Sequence, residues 1–349
     1  METRNRKICN CEKDFAVYEE AGEILKEGGL VAFPTETVYG LGADALNEDA
    51  AKKIYAAKGR PSDNPLIVHI TNMKDLEEIA EEIPEAARKI AEAFWPGPLT
   101  MIFKKKQIVP DGTTGGLDTV AVRMPDHEIA RHLIDAGGGF IAAPSANTSG
   151  RPSPTTAQHC VEDLTGKVDM IVDGGEVAIG VESSILDMTV TPPMILRPGA
   201  ITKEMFESVI GEVTIDKALI SSDSKQKPKA PGMKYRHYAP KAQLTIVEGK
   251  IGDVITFINQ QTESYMKDGY KVGIIGTTES VAGYPAGDVK CIGTREDELT
   301  IANHLFGILR EFDEDAVDFI FSESFDDSGL GSAIMNRLLK AAGHHVITV

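Results

Sequence analysis

Apolar positions along this chain follow two rhythms. Short continuous runs such as Leu30-Val31-Ala32-Phe33 alternate with longer stretches in which apolar residues recur every three or four positions. The first rhythm predicts buried strands and the second amphipathic helices. Residues 18–26 read as a helix stopped by Gly28-Gly29, and 30–33 as a strand. Asn47 caps a helix running to Ala57, with Glu48 and Asp49 in its first turn. A strand over 66–70 follows, then a helical stretch over 74–94 broken near Pro84 and ended by Trp95-Pro96-Gly97-Pro98. Strands are predicted over 99–103, 119–124, 140–143, 170–172 and 184–187, with a short helix over 156–164.

Residues 218–241 break the pattern. They are polar, bear proline and are locally basic, which reads as a linker. Beyond them strands (244–247, 272–275, 317–321, 346–349) alternate with helices (253–266, 297–312, 333–342). That alternation predicts a small parallel, doubly wound sheet. The fold class is therefore α/β, in two domains, as a length of 349 residues also favours.

Charge and composition narrow the function. A net charge of −17 works against binding nucleic acid through bulk electrostatics, yet leaves room for a local cationic pocket. No apolar run approaches the roughly 18 residues of a membrane span. The opening METRNRKICNCEKDF lacks the apolar centre of a secretory signal. Four cysteines do not make a disulfide framework, so a cytoplasmic protein is expected. Cys9 and Cys11 form a C-x-C pair with no second pair at zinc-ligand spacing.

Gly40-Leu41-Gly42-Ala43-Asp44-Ala45 has the form of a dinucleotide-binding turn, but its context contradicts that reading. Six residues, 34–39, separate the glycines from the strand, whereas the fingerprint needs them at the strand end. Where an acid for the ribose belongs, the chain has Lys58 and Arg60. The glycines are instead expected to let the chain bend tightly.

Lys58 and Arg60, fixed by Pro61 and followed by Asn64-Pro65, suit a polyphosphate, or equally a solvated helix end. His69 lies within an apolar strand, where a packed histidine is the commoner case. Alternation puts Thr119, Ala121 and Arg123 on one face, with Val120 and Val122 on the other. An arginine there needs an anion, either an internal acid or a ligand. Hydroxyls and amides follow a buried strand at Ser145, Asn147, Thr148 and Ser149, and again at Ser153, Thr155 and Thr156. Glu182-Ser183-Ser184 and Arg197, held by Pro198-Gly199, repeat the theme. No catalytic triad order or metal cluster appears. This profile fits chemistry by positioning and charge neutralisation, as in nucleotidyl transfer.

The ordered segments P-T-E-T-V-Y-G-L, K-G-R-P-x-x-N-P-L-I-V-H, W-P-G-P-L-T, V-A-V-R-x-P, A-P-S-A-N-x-S-G, E-S-S-I-x-D and R-P-G-x-I closely resemble the YrdC-like threonylcarbamoyl-AMP synthases. A-P-G-M-K-Y-R-H-Y-A-P and G-L-G-x-A-I-M-N-R-L-x-K-A-A resemble that family's two-domain form, although the family more often has Ser where Ala230 stands. The resemblance implies a catalytic twisted α/β sheet with a concave, positively charged cavity over 16–201, a linker or lid over 202–241, and a Rossmann-like domain over 242–349. It also implies a reaction: L-threonine, bicarbonate or CO2, and ATP with Mg2+ give threonylcarbamoyl-AMP and pyrophosphate. The product would supply a downstream transferase complex that modifies tRNA.

By the same resemblance Thr37, His69, Arg123 and Ser183 would hold threonine, with Arg123 on its carboxylate. Arg60, Asn64, Thr119, Ser145, Ser153, Arg197 and Tyr238 would contact ATP, with Lys58 on the triphosphate. Two rivals remain. A double-stranded RNA binder fits the basic cavity but not the acidic chain, and leaves direct RNA contact open. A carbamoyl-adenylate-forming carbamoyltransferase would carry C-x-x-C zinc modules that this sequence lacks.

Overall fold

The computed structural model describes residues 2–11, 13–216 and 237–349. It divides into two units: Met1–Ser149 with Ser153–Tyr235, and Gly150–Pro152 with Arg236–Val349. The strands of the first unit are β1 (Arg4–Lys7), β2 (Val31–Phe33), β3 (Gly40–Asp44), β4 (Ile67–His69), β5 (Leu99–Lys104), β6 (Thr119–Arg123), β7 (Ile141–Ala142), β8 (Met170–Asp173), β9 (Ser184–Asp187), β10 (Met194–Arg197) and β11 (Thr214–Ile215). They form one sheet in the order β1-β8-β2-β3-β7-β4-β6-β5-β9-β10-β11. Its pairings are mixed: β4 runs parallel to β6, for example, while β5 runs antiparallel to it.

Helices α1 (Phe15–Lys26), α2 (Glu48–Lys58), α3 (Met73–Ile79), α4 (Glu85–Phe94), α5 (Asp111–Thr114), α6 (Glu128–Ala136), α7 (Ala157–Leu164) and α8 (Lys203–Ile210) complete the unit. The Asn47 side chain accepts from the Asp49 and Ala50 amides, capping α2 as its sequence predicts. The helical stretch over 74–94 is two helices, α3 and α4, parted near Pro84. The alternation in β6 also holds. Val120 and Val122 join the main apolar cluster, while Ala121 packs in a smaller one with Ile67, Ile102, Ile185 and Leu196.

The glycine stretch departs from expectation. Gly40 and Gly42 do not bend the chain; they lie in β3, opposite Phe33 and Val31 of β2. A Cβ on Gly42 would stand 2.8 Å from Phe33 Cε1 and 2.9 Å from Ile141 Cγ2, so the position needs the room that glycine leaves. The turn belongs to the residues before them. Thr35 Oγ1 accepts from the Thr37 and Val38 amides and donates to the Val38 carbonyl at 2.7 Å. β1 is a second difference. Its Arg-Asn-Arg-Lys carries no apolar alternation, and pairing with β8 at a charged sheet edge makes it a strand.

The second unit contains β12 (Gln243–Glu248), α9 (Ile251–Lys267), β13 (Val272–Gly276), β14 (Asp288–Cys291), α10 (Glu298–Glu314), β15 (Phe319–Glu323), α11 (Gly329–Ala341) and β16 (Val346–Thr348). The sheet order is β14-β13-β15-β12-β16, and every neighbouring pair is parallel, as the strand–helix alternation implies. Half-exposed β14 has no apolar run to announce it. Among the described residues no helix is long and apolar enough to cross a membrane.

Candidate active site

Five strands bring polar side chains into one row across the first sheet. His69 at the end of β4 sits opposite Arg123 of β6, and Arg123 sits opposite Thr100 of β5. Residues directly opposite on paired strands share a face. Thr100 Oγ1 lies 2.8 Å from Ser183 Oγ, just ahead of β9. Arg197, at the end of β10, donates from Nε to the Ser183 carbonyl at 2.9 Å and from Nη2 to its Oγ at 3.1 Å. The row is buried: Thr100 and Ser183 are inaccessible, and His69, Arg123 and Arg197 nearly so. The smaller apolar cluster adjoins it on the same strands.

The loop between β2 and β3 closes on this row. Glu36 Oε2 meets Arg123 Nη2 at 2.7 Å, both side chains almost wholly buried. The internal acid that could neutralise Arg123 is therefore present. The contact is short but badly angled, so both Glu36 oxygens and the Nε and Nη2 of Arg123 lack an aligned hydrogen-bond partner. Thr37, fully buried, is fixed by Thr35 and by its own carbonyl, which accepts from the Gly180 amide at 3.0 Å.

Electrostatics keeps the nearby imidazoles neutral. Burial, and then the Arg123 charge, push His69 down to about 3. Its Nδ1 donates to the Ile67 carbonyl at 3.1 Å. His127, the N-cap residue of α6, is lowered by burial; Glu36 opposes that shift and Arg123 adds to it.

The residues expected on ATP form separate groups. The Lys58 ammonium donates to the carbonyls of Ser145 and Asn147 and to Asn147 Oδ1, tying α2 to the loop after β7. Ser145 Oγ donates to the same Oδ1 at 2.6 Å. Arg60 folds over its own turn, donating from Nη2 to the Asn64 and Pro65 carbonyls at 3.3 and 3.2 Å. Asn64 Oδ1 is buried without a hydrogen-bond partner. Ser153 donates to Glu182 Oε1 at 2.6 Å, both buried. Thr119 lies on the face of Arg123, about 13 Å back along β6 at ~3.3 Å per residue. Tyr238 belongs to the second unit, where it packs against Phe306 with ring centroids 5.0 Å apart. Of the proposed lid, residues 217–236 lie outside those described.

A family model described as telomere recombination, spanning Sua5, YciO and YrdC, matches residues 23–199. A second, described as the C-terminal domain of threonylcarbamoyl-AMP synthase, matches 201–343. A threonylcarbamoyl-AMP synthase of Pyrococcus abyssi is 52% identical over 94% of this chain and 95% of its own length. One from Bacillus subtilis is 52% identical over 94% and 93%. The crystal structure of P. abyssi Sua5 complexed with L-threonine superposes with a TM-score of 0.92 at 48% identity, covering 100% of both chains. The chain belongs to the threonylcarbamoyl-AMP synthase family.

Within this member of the threonylcarbamoyl-AMP synthase family, Glu36, Thr100 and His127 are not singled out in the sequence, and Glu182 is singled out beside Ser183 and Ser184 without a role of its own. Glu36 stands inside the P-T-E-T motif, and a lone acid among apolar and hydroxyl neighbours that fold inward is its signal. Thr100 is the polar interruption in the apolar run Leu99-Thr100-Met101-Ile102. Glu182 precedes the two serines, and His127 ends the segment that carries Arg123. Nothing local distinguishes His127 from a surface histidine.

Proposed function

We propose that this chain condenses L-threonine, CO2 or bicarbonate, and ATP into threonylcarbamoyl-AMP, releasing pyrophosphate. The buried, incompletely hydrogen-bonded guanidinium of Arg123 carries the reading, in a chain that superposes along its whole length on a relative solved with L-threonine. A buried arginine with open donors is a receptor for a carboxylate. Thr37, His69 and Ser183 complete the threonine site. His69 acts there as a neutral hydrogen-bonding group, because its proton affinity is too low for an imidazolium near pH 7.

ATP is held by Arg60, Asn64, Thr119, Ser145, Ser153, Arg197 and Tyr238, with Lys58 serving the triphosphate end. Lys58 does this through the loop it fastens, since its ammonium is spent on the Ser145 and Asn147 carbonyls. Once its ammonium has released a proton to solvent, the substrate amine attacks CO2 and releases a second proton to give a carbamate. A carbamate oxygen then displaces pyrophosphate from the α-phosphorus in line. Positioning and cationic charge do the protein's share of this work. Mg2+ would come with the nucleotide and would offset charge on its phosphates. The Ser153 hydroxyl and Glu182 carboxylate are buried hard oxygens whose chemistry fits that ion. Of the segment 202–241 expected as linker or lid, α8 and β11 are built into the first unit, so a cover over the labile adenylate would have to come from the residues after them. A downstream transferase would pass the threonylcarbamoyl group to tRNA, in the cytoplasm.

The test is direct. The protein with ATP, Mg2+, bicarbonate and threonine should release pyrophosphate only when threonine is present. Release that ignores threonine would refute the reading.

A further inference from the structure

The Glu36–Arg123 pair is poorly made as a structural salt bridge. Its charges are 2.7 Å apart and buried, yet four of its polar atoms lack an aligned partner. A buried ion pair repays its desolvation only with good geometry and further hydrogen bonds filling the remaining sites. This pair has neither, and the His127 Nδ1 is also buried without a partner. His127 feels both charges, the carboxylate raising its proton affinity and the guanidinium lowering it. One spot thus holds an open cationic donor beside an open anionic acceptor.

That arrangement is the complement of a zwitterion. An α-amino acid carries its carboxylate and its ammonium on one carbon, so its receptor needs a cation and an acceptor side by side. A neutral pair of opposite charges accepts a neutral zwitterion without importing net charge into a low-dielectric site. We propose that Glu36 is the receptor for the α-ammonium of the substrate. In the free protein Glu36 stands on Arg123 in the substrate's place. When the substrate carboxylate takes the guanidinium, the Glu36 carboxylate turns to the ammonium and fixes the nitrogen that will be carboxylated. Glu36 then selects α-amino acids over acids lacking the amine. This inference rests on the proposed threonine site.

The experiment compares L-threonine with (R)-3-hydroxybutyrate, which keeps the carboxylate and β-hydroxyl but lacks the amine. Binding of each is measured by calorimetry, in the presence of ATP, to wild type and Glu36→Gln. Wild type should prefer threonine by at least about tenfold. E36Q should weaken threonine by about tenfold or more, the scale of losing a buried charged partner. The same change should leave 3-hydroxybutyrate as tight or tighter, because Arg123 has lost its internal competitor. A merely structural role would weaken both ligands together, and that outcome overturns the proposal. So does equal affinity of wild type for both ligands, which needs no variant. If E36Q does not fold, Glu36→Asp should show the same split at smaller amplitude. Failure of wild type to bind threonine at all would instead refute the threonine site itself.

Discussion

Arg197 grips Ser183 at two points, its Nε on the carbonyl at 2.9 Å and its Nη2 on Oγ at 3.1 Å. Ser183 is expected on threonine and Arg197 on ATP, so this grip joins the two substrate sites. A lysine offers a point charge and cannot reproduce the fork. Arg197→Lys should therefore raise the KM for both substrates by about tenfold, roughly the loss of one charged hydrogen bond. Ser183→Ala keeps the carbonyl contact and removes only the Oγ one, so it should raise the threonine KM more than the ATP KM. Initial rates of pyrophosphate release, each substrate varied in turn, read both. An R197K effect confined to ATP would show that the contact does not couple the sites.

His69 gives stability a pH dependence whose sign is fixed. Its proton affinity is pushed down to about 3 in the folded protein, from an ordinary 6.5. The unfolded chain therefore binds a proton that the folded chain refuses. The stabilisation is complete above pH 6.5 and declines as pH falls towards 3, by at most ~1.4 kcal/mol per pH unit. His69→Gln lacks this loss, so urea-unfolding free energies of the two proteins should converge as pH drops from 7 to 5. Parallel decline would mean that His69 is not buried in its neutral form.

Lys58 separates a positioning role from direct phosphate contact. Its ammonium fills oxygen acceptors on Ser145 and Asn147. Lys58→Met keeps the apolar stem and strands those acceptors, destabilising the ligand-free protein by about 2–3 kcal/mol. ATP affinity should fall as the loop loosens. A melting temperature equal to wild type with weakened ATP binding would put the ammonium on phosphate instead.

The boundary of the first unit is also testable. Phe206 and Val213 lie beyond Ile201 yet are buried in the first unit's main apolar cluster. A chain ending after Ile201 loses these anchors and should lose cooperative unfolding. One ending after Asp216 keeps them and should unfold in a single transition by circular dichroism. Only the longer fragment is suited to asking whether the rest of the chain prolongs the life of the adenylate. Equal cooperativity of the two fragments would show that α8 and β11 are dispensable.

Legibility in the sequence followed periodicity. β6 could be read to the level of faces because Val120, Val122 and Arg123 alternate cleanly, and α2 because Asn47 announces its cap. β1 and β14 were not legible, since their residues reflect a neighbour's edge rather than a buried face. For the site, Arg123 and Ser183 stood out as polar groups beside apolar runs. The row they share with His69, Thr100 and Arg197 depends on strand order across β4, β6, β5, β9 and β10, which no local pattern encodes. The alternatives for Arg123 were an internal acid or a ligand. Glu36, some ninety residues away, supplies the acid, and sequence spacing offers no means of pairing the two.

Gly42 shows how a motif can mislead and how its true role can be checked. It resembles a phosphate-binding glycine, yet it pairs with Val31 in a hairpin whose two flanks press close. An added Cβ meets Phe33 Cε1 at 2.8 Å and Ile141 Cγ2 at 2.9 Å, below ordinary contact distance, and both belong to large buried side chains with little freedom to retreat. At Gly40 the nearest atom is Ala143 Cβ at 3.3 Å, which a small shift relieves. Overpacking of a tight core costs about 1–3 kcal/mol. Gly42→Ala should therefore lower the unfolding free energy by that amount, and Gly40→Ala by distinctly less. If the glycines served instead to admit a nucleotide's phosphates, both substitutions would weaken ATP binding while leaving the ligand-free stability unchanged. Denaturant unfolding without ligand, set beside ATP titration of the same two variants, distinguishes the outcomes.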